Sequence, residues 1–286
     1  MPRSATLALW LPRLTDPAGG STAGSRDGGA EVAPELLARA LAAVRAEDEP
    51  HTVRLGSDSS EVPLAEVVRS WAPRVSHVTA LFPVAGDVAG VPAAASVAAV
   101  DAEECVLVTL RAGSTPGSPQ DDRTGTGETW ALVPLVTPFG SVIERGYLVT
   151  WEALRVPPWR SLVLAAVGDL REAERELRSV LVQATEALDA LDVASWSDDA
   201  RSVLEGLTGY RALADVVPED LDQRRARVLS ESARLRYIID VATRDDGGAV
   251  NLWQADQRSA ALRHVDRVAR RAMAAATAFD EDADQH

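Results

Sequence analysis

The sequence predicts a mixed α/β (or α+β) architecture, with an N-terminal mixed sheet and flanking helices followed by a C-terminal antiparallel helical bundle. Three observations carry this. Up to Val156, apolar runs of strand length alternate with short stretches of 3.6-residue periodicity. Within that half, helices separate the early strands and the late strands follow one another directly, the pattern of a mixed sheet. After Val156-Pro157-Pro158, long stripes at helical spacing take over and nothing reads as a strand. The expected division is 1–156 (mixed α/β domain), 157–280 (helical bundle domain) and 281–286 (acidic tail).

The elements follow in order. Thr6-Leu7-Ala8-Leu9-Trp10-Leu11, ended by Pro12, reads as a buried strand. Asp16 to Ala30 is a Gly/Ser/Asp-rich loop. Pro34 to Ala46 has the 3.6 pattern with proline at its start, so it reads as a helix. His51 to Gly56 alternates and stops on glycine, a strand. Pro63 to Trp71 is a second amphipathic helix, and Ser76 to Phe82 a third strand. A turn-rich loop, Pro83 to Pro92, leads to an Ala-rich helix, Ala93 to Ala102. Cys105 to Leu110 is a buried strand. Arg111 to Gly127 reads as a polar insertion loop. Thr129 to Val136 and Ser141 to Trp151 are two strands around Thr137-Pro138-Phe139-Gly140.

In the second half, Leu162 to Leu191 reads as one long helix with the stripe Val163, Val167, Leu170, Leu177, Leu181, Ala184, Leu188, Leu191. Ser197 to Leu207 is a short helix. Leu221 to Ala242 and Leu252 to Ala276 are two more long ones, which completes a bundle. The tail from Asp280 reads as frayed. Glu174 falls on the first stripe between Leu170 and Leu177. A buried unpaired carboxylate costs several kcal/mol, roughly, so an arginine from the last two long helices is expected to reach it, or the helix turns it to solvent. A loss on the order of 3 kcal/mol or more for Glu174→Leu is the expected mark of a buried partner left uncompensated.

Composition excludes several chemistries. The chain has 29 basic residues, all arginine, and 43 acids, for a net charge of −14. Without lysine there is no Schiff base, no Walker lysine and no kinase-type lysine. Each half carries the same surplus of acid, with 12 Arg against 19 acids in 1–159 and 17 against 24 in 160–286. That balance argues against nucleic-acid partners, whose phosphates need neutralising cations. The lone Cys105 cannot form an intramolecular disulfide. No apolar run approaches the roughly 18 residues of a membrane span, and the N-terminus does not read as a secretory signal. The expectation is a cytoplasmic protein without membrane partner.

Few residues carry chemistry. Gly86-Asp87-Val88-Ala89-Gly90-Val91-Pro92 follows a strand, where α/β folds gather ligands. Gly86 and Gly90 permit close backbone approach, and Asp87 can orient a hydroxyl or a metal. The same loop also reads as a tight connection whose Asp caps a turn. Arg54 and Arg145 are the arginines considered as anion partners for it. No cofactor motif is present and none is expected. The histidines His51, His77, His264 and His286 lack metal-ligand spacing, and Cys105 reads as a buried hydrophobe. The arginines of the last two long helices (Arg224, Arg225, Arg227, Arg234, Arg236, then Arg258 to Arg271) face seven acids on the first long helix. They form either complementary surfaces within the bundle or a basic face for a partner.

Three stretches, Ala5 to Pro12, Gly86 to Pro92 and Ala260 to Ala272, resemble a family of actinobacterial proteins with no assigned function. That resemblance implies lineage and compartment and no mechanism. The functional expectation is a non-catalytic cytoplasmic protein that binds a partner or assembles with itself. The alternative is a small-molecule enzyme or ligand-binding protein with its site at Gly86-Asp87-Val88-Ala89-Gly90.

Overall fold

A computed structural model describes residues 1–15, 32–45, 50–56, 60–111, 127–141, 144–190, 216–244 and 252–281. The loop read over 16–30, most of the one over 111–127 and the helix read over 197–207 lie outside the described residues. The chain divides into two compact units, Met1–Ala165 with Thr277–His286, and Ala166–Ala276.

The first unit is a seven-stranded mixed sheet with helices packed on it. Its elements are α1 (Arg3–Trp10), α2 (Pro34–Val44), β1 (His51–Leu55), β2 (Glu61–Pro63), α3 (Leu64–Trp71), β3 (Val75–Leu81), α4 (Ala93–Ala102), β4 (Cys105–Leu110), β5 (Glu128–Gly140), β6 (Arg145–Arg155), α5 (Arg160–Val167) and β7 (Phe279–Asp280). The strand order is β2-β1-β6-β5-β4-β3-β7. β3 to β6 form an antiparallel meander, and β1 joins β6 in parallel. β4 is central. Cys105, Val106, Leu107, Val108 and Leu110 are all fully buried, so both its faces are covered.

The expected first strand is a helix. Ser4 to Trp10 are all buried in α1, which packs on α2, β3, β4 and β5. A helix buried all round carries no polar face, so its apolar run shows no 3.6 period and imitates a strand. The two late strands are also longer than read. β5 runs through Pro134 and Pro138 to Gly140, and the turn lies after Gly140. Beyond Val136 this pair leaves the sheet as a two-stranded ribbon, and Pro138 sits on its edge, where a missing N–H is tolerated.

β7 was not anticipated. Phe279 and Asp280 pair with Val78 and His77 on the outer edge of β3, and Thr277 Oγ1 accepts the Ala80 N–H at 3.0 Å. Asp280 pairs with His77 (3.2 Å) and with Arg160, and Glu281 with Arg111. The first residues of the expected frayed tail are therefore held. At the opposite edge, β2 has three residues and ends in proline, which discourages further pairing.

The second unit is helical, with α6 (Leu170–Ala190), α7 (Gln223–Arg244) and α8 (Leu252–Thr277) as its long elements. Leu177, Val180, Val228, Leu229, Val268, Ala269, Ala272 and Met273 are buried. The long helix read over 162–191 is two helices. Gly168 adopts φ +77°, a left-handed conformation that ends α5. Asp169 Oδ1 then accepts the Glu172 N–H at 2.7 Å, an N-cap that starts α6.

Candidate functional site

The loop after β3 consists of two successive tight turns. Val84 and Asp87 exchange backbone hydrogen bonds of 3.0 and 2.9 Å around Gly86, whose φ is +85°. Asp87 Oδ1 accepts the Ala89 N–H at 3.3 Å, and Gly90 takes φ +83°. The glycines thus serve turn geometry, and Asp87 caps a turn.

The sheet does not bring Arg54 or Arg145 to this loop. Arg54 is on β1, four strand positions from β3, or roughly 19 Å at ~4.8 Å per strand. It pairs with Glu61 at 3.0 Å. Arg145 pairs in register with Gly140 at the ribbon tip. Leu132 is level with Val106 of β4, so that tip stands about 26 Å further along at ~3.3 Å per residue.

Of the histidines, His51, His77 and His264 are structural or exposed, and His286 lies outside the described residues. His51 is 4% exposed and its Nδ1 accepts from Trp151 Nε1 at 3.2 Å. His77 secures β7, and His264 is exposed. Cys105 is buried, and burial first, then the nearby Glu104 carboxylate, pushes its thiol far above the ordinary range. Among the described residues, no group of His, Cys, Asp and Glu could hold a metal ion.

A hollow of about 580 Å³ opens at the carboxyl ends of β1 and β6, lined by Leu55, Gly56, Trp130, Glu152, Ala153, Leu154 and Arg155. Gly56 has φ +69° and donates its N–H to Ala153 O at 3.3 Å, which lets β1 turn away over β6. Trp130 stacks at 33° on Trp71 (5.6 Å between centroids), and the Arg155 guanidinium lies 4.4 Å from its ring centroid. Of the sequence candidates, Arg54 alone is adjacent, one strand over from Glu152. Sequence reasoning missed this hollow because it depends on the parallel pairing of β1 with the distant β6.

The second feature is the ribbon, Thr137–Gly140 with Arg145–Leu148, with Val136 at its base. Val136, Phe139, Tyr147 and Leu148 are 39–50% exposed. Cross-strand register puts Val136, Pro138 and Tyr147 on one face, and Thr137, Leu148, Phe139 and Gly146 on the other. The Phe139 ring covers Gly146, so closely that a Cβ there would meet it at 2.5 Å. Glu144 and Arg145 are the sole charged residues from 135 to 150, so the ribbon is neutral on a chain of −14.

Residues 32–164 match the model of the Rv1486c-like protein N-terminal domain, and 171–274 that of the Rv1486c-like protein C-terminal domain. The chain belongs to the Rv1486c-like family. The family label is mycobacterial, in keeping with the actinobacterial resemblance, and no activity is assigned to it. No curated protein and no solved structure matches the chain. The two family matches divide between α5 and α6, beside the Gly168 break.

Within the C-terminal match lies a charged cluster. Glu174, 4% exposed, accepts from Arg224 Nε (2.6 Å) and Nη2 (2.5 Å) through Oε2, and from Arg178 through Oε1. The hydrogen bond from Arg224 holds its carboxyl below the usual range, opposed by burial and helped by the charges of Arg178 and Arg224. Asp266 likewise binds Arg270 at 2.7 Å. Both clusters lie inside the helical unit. No helix among the described residues is long and apolar enough to cross a membrane.

Proposed function

We propose that this member of the Rv1486c-like family is a non-catalytic cytoplasmic protein that associates, with a partner protein or a second copy of itself, through the β5–β6 ribbon. The exposure of Val136, Phe139, Tyr147 and Leu148 on both ribbon faces carries this reading. A hairpin outside a sheet has little stability of its own in water. Contiguous apolar side chains on such an element mark interaction surfaces. Local neutrality supports it, since the ribbon adds no repulsion to the approach of another acidic body. Along Arg145–Leu148, no described strand pairs with the outer edge of β6, which supports strand addition as the mode of contact.

The test is sedimentation velocity and pull-down from the source cell with the wild type and with Phe139→Ser/Tyr147→Ser. Self-association or a captured protein, lost in the double variant, is the expected result. A monomer without partner, or an association indifferent to both substitutions, overturns the reading.

A further inference from the structure

The hollow beside Trp130 lies where the single parallel pair of described strands, β1 and β6, leaves the sheet. Carboxyl ends of parallel strands are where α/β folds gather small ligands, because several chain segments diverge there around one crevice. A volume of about 580 Å³ is of ligand size.

Two chemically distinct groups meet on one face of the sheet at its wall, since Trp130 and Arg155 are cross-strand partners. Trp130 supplies a π face, its ring steadied by Trp71 behind it in the core. Arg155 supplies a cation that is two-thirds exposed (66%). It forms an ion pair with Glu128 at 3.6 Å, a carboxylate that Arg74 shares at the same distance and that accepts from Trp130 Nε1 at 3.4 Å. The planar fork of this exposed guanidinium has donors suited to a carboxylate or phosphate. Leu55 and Gly56 also line the hollow, and a Cβ built on Gly56 would meet no atom within 4 Å.

We propose that this hollow binds a small planar aromatic anion, with its ring stacked on Trp130 and its carboxylate or phosphate held by Arg155. At rest the guanidinium covers the indole. A ligand ring takes that place, and Arg155 swings from the ring to the anionic group, which requires only rotation of an exposed side chain. The ribbon shares no residue with this site, so the two can fail separately.

The test is calorimetric titration of the full chain with adenosine 5′-monophosphate and with indole-3-acetate. Adenosine and indole-3-ethanol serve as uncharged counterparts. The expected result is sub-millimolar binding of at least one anion, about tenfold or more tighter than its counterpart. AMP binding alone assigns the anionic group as phosphate, and indole-3-acetate alone assigns it as carboxylate. Arg155→Gln erases the preference for the anion, whereas Trp130→Leu weakens anion and counterpart together. Trp130→Phe, which keeps a stacking face and the packing on Trp71, retains binding and shows that a loss in Trp130→Leu is not misfolding. No heat from either anion at millimolar concentration overturns the proposal. So does anion binding indifferent to Arg155→Gln.

Discussion

Breaking the Glu174–Arg224 pair from either side should cost different amounts, and the structure says which costs more. Glu174 is nearly buried, with a side chain 5% exposed, whereas Arg224 and Arg178 are 41% and 63% exposed. Removing one member of a fully buried pair costs about 3–5 kcal/mol, because the other stays behind without a partner. Glu174→Leu leaves two arginines that can turn into water, and the new side chain extends the apolar stripe. Its cost should be at most about 1 kcal/mol, as for exposed pairs. Arg224→Met strands the buried carboxylate with Arg178 alone, and should cost about 2–3 kcal/mol, below the fully buried range because solvent reaches the arginine side. In the double variant the stranded charge is gone, so most of that loss returns. The expectation of 3 kcal/mol for Glu174→Leu assumed a partner as buried as the glutamate, and the exposure of the arginines reverses the asymmetry. Urea denaturation of the three variants, with unchanged m-values, measures it. An Arg224→Met loss no larger than that of Glu174→Leu would refute the reasoning.

Other expectations follow from the same structure. The folded-state pKa of Glu174 lies below its ordinary 4.5, so its contribution is complete above that value and is lost as pH falls through the lower folded pKa. Denaturation from pH 6 down to 3 should show a shallower decline in Glu174→Leu than in the wild type. Cys105, fully buried with its thiol pKa pushed up, should react with a thiol reagent only at the rate of unfolding, and brisk labelling under native conditions would place it elsewhere. Gly168→Ala should destabilise by about 1–2 kcal/mol through its left-handed backbone, measured as a fall in urea midpoint. Gly146→Ala should push the Phe139 ring off the ribbon, seen as a change in the Phe139 ring resonances while the sheet core stays unchanged.

The sequence disclosed strand and helix wherever one face meets solvent. β1, α3 and the last two long helices of the second unit alternate apolar and polar residues at their own period and lie close to the expected positions, whereas the expected helix over 162–191 is broken at Gly168. It misled at α1, because burial on all sides erases the period that separates helix from strand. It misled again at Pro138 and Gly140, whose turn chemistry is real but which belong to a ribbon edge and its end. Glu174 was legible because a charge on an apolar stripe demands a partner. The hollow was not. Trp130 and Arg155 are 25 positions apart, and only the β5–β6 register makes them neighbours.

The placement of β7 has a consequence for the order in which the protein can be made. The outer edge of β3 emerges with the first third of the chain, yet the residues that close it follow the whole of Ala166–Ala276. At ~5–20 residues per second, synthesis of that stretch occupies on the order of ten seconds. Throughout that interval the nascent sheet presents an unpaired edge, the kind of surface on which neighbouring chains on a polysome join. Interruption of translation within the helical segment would therefore yield a fragment with an open edge. The hydrogen bond of Thr277 and the ion pairs of Asp280 and Glu281 thus act as a late clasp, fastened only when the last helix is complete.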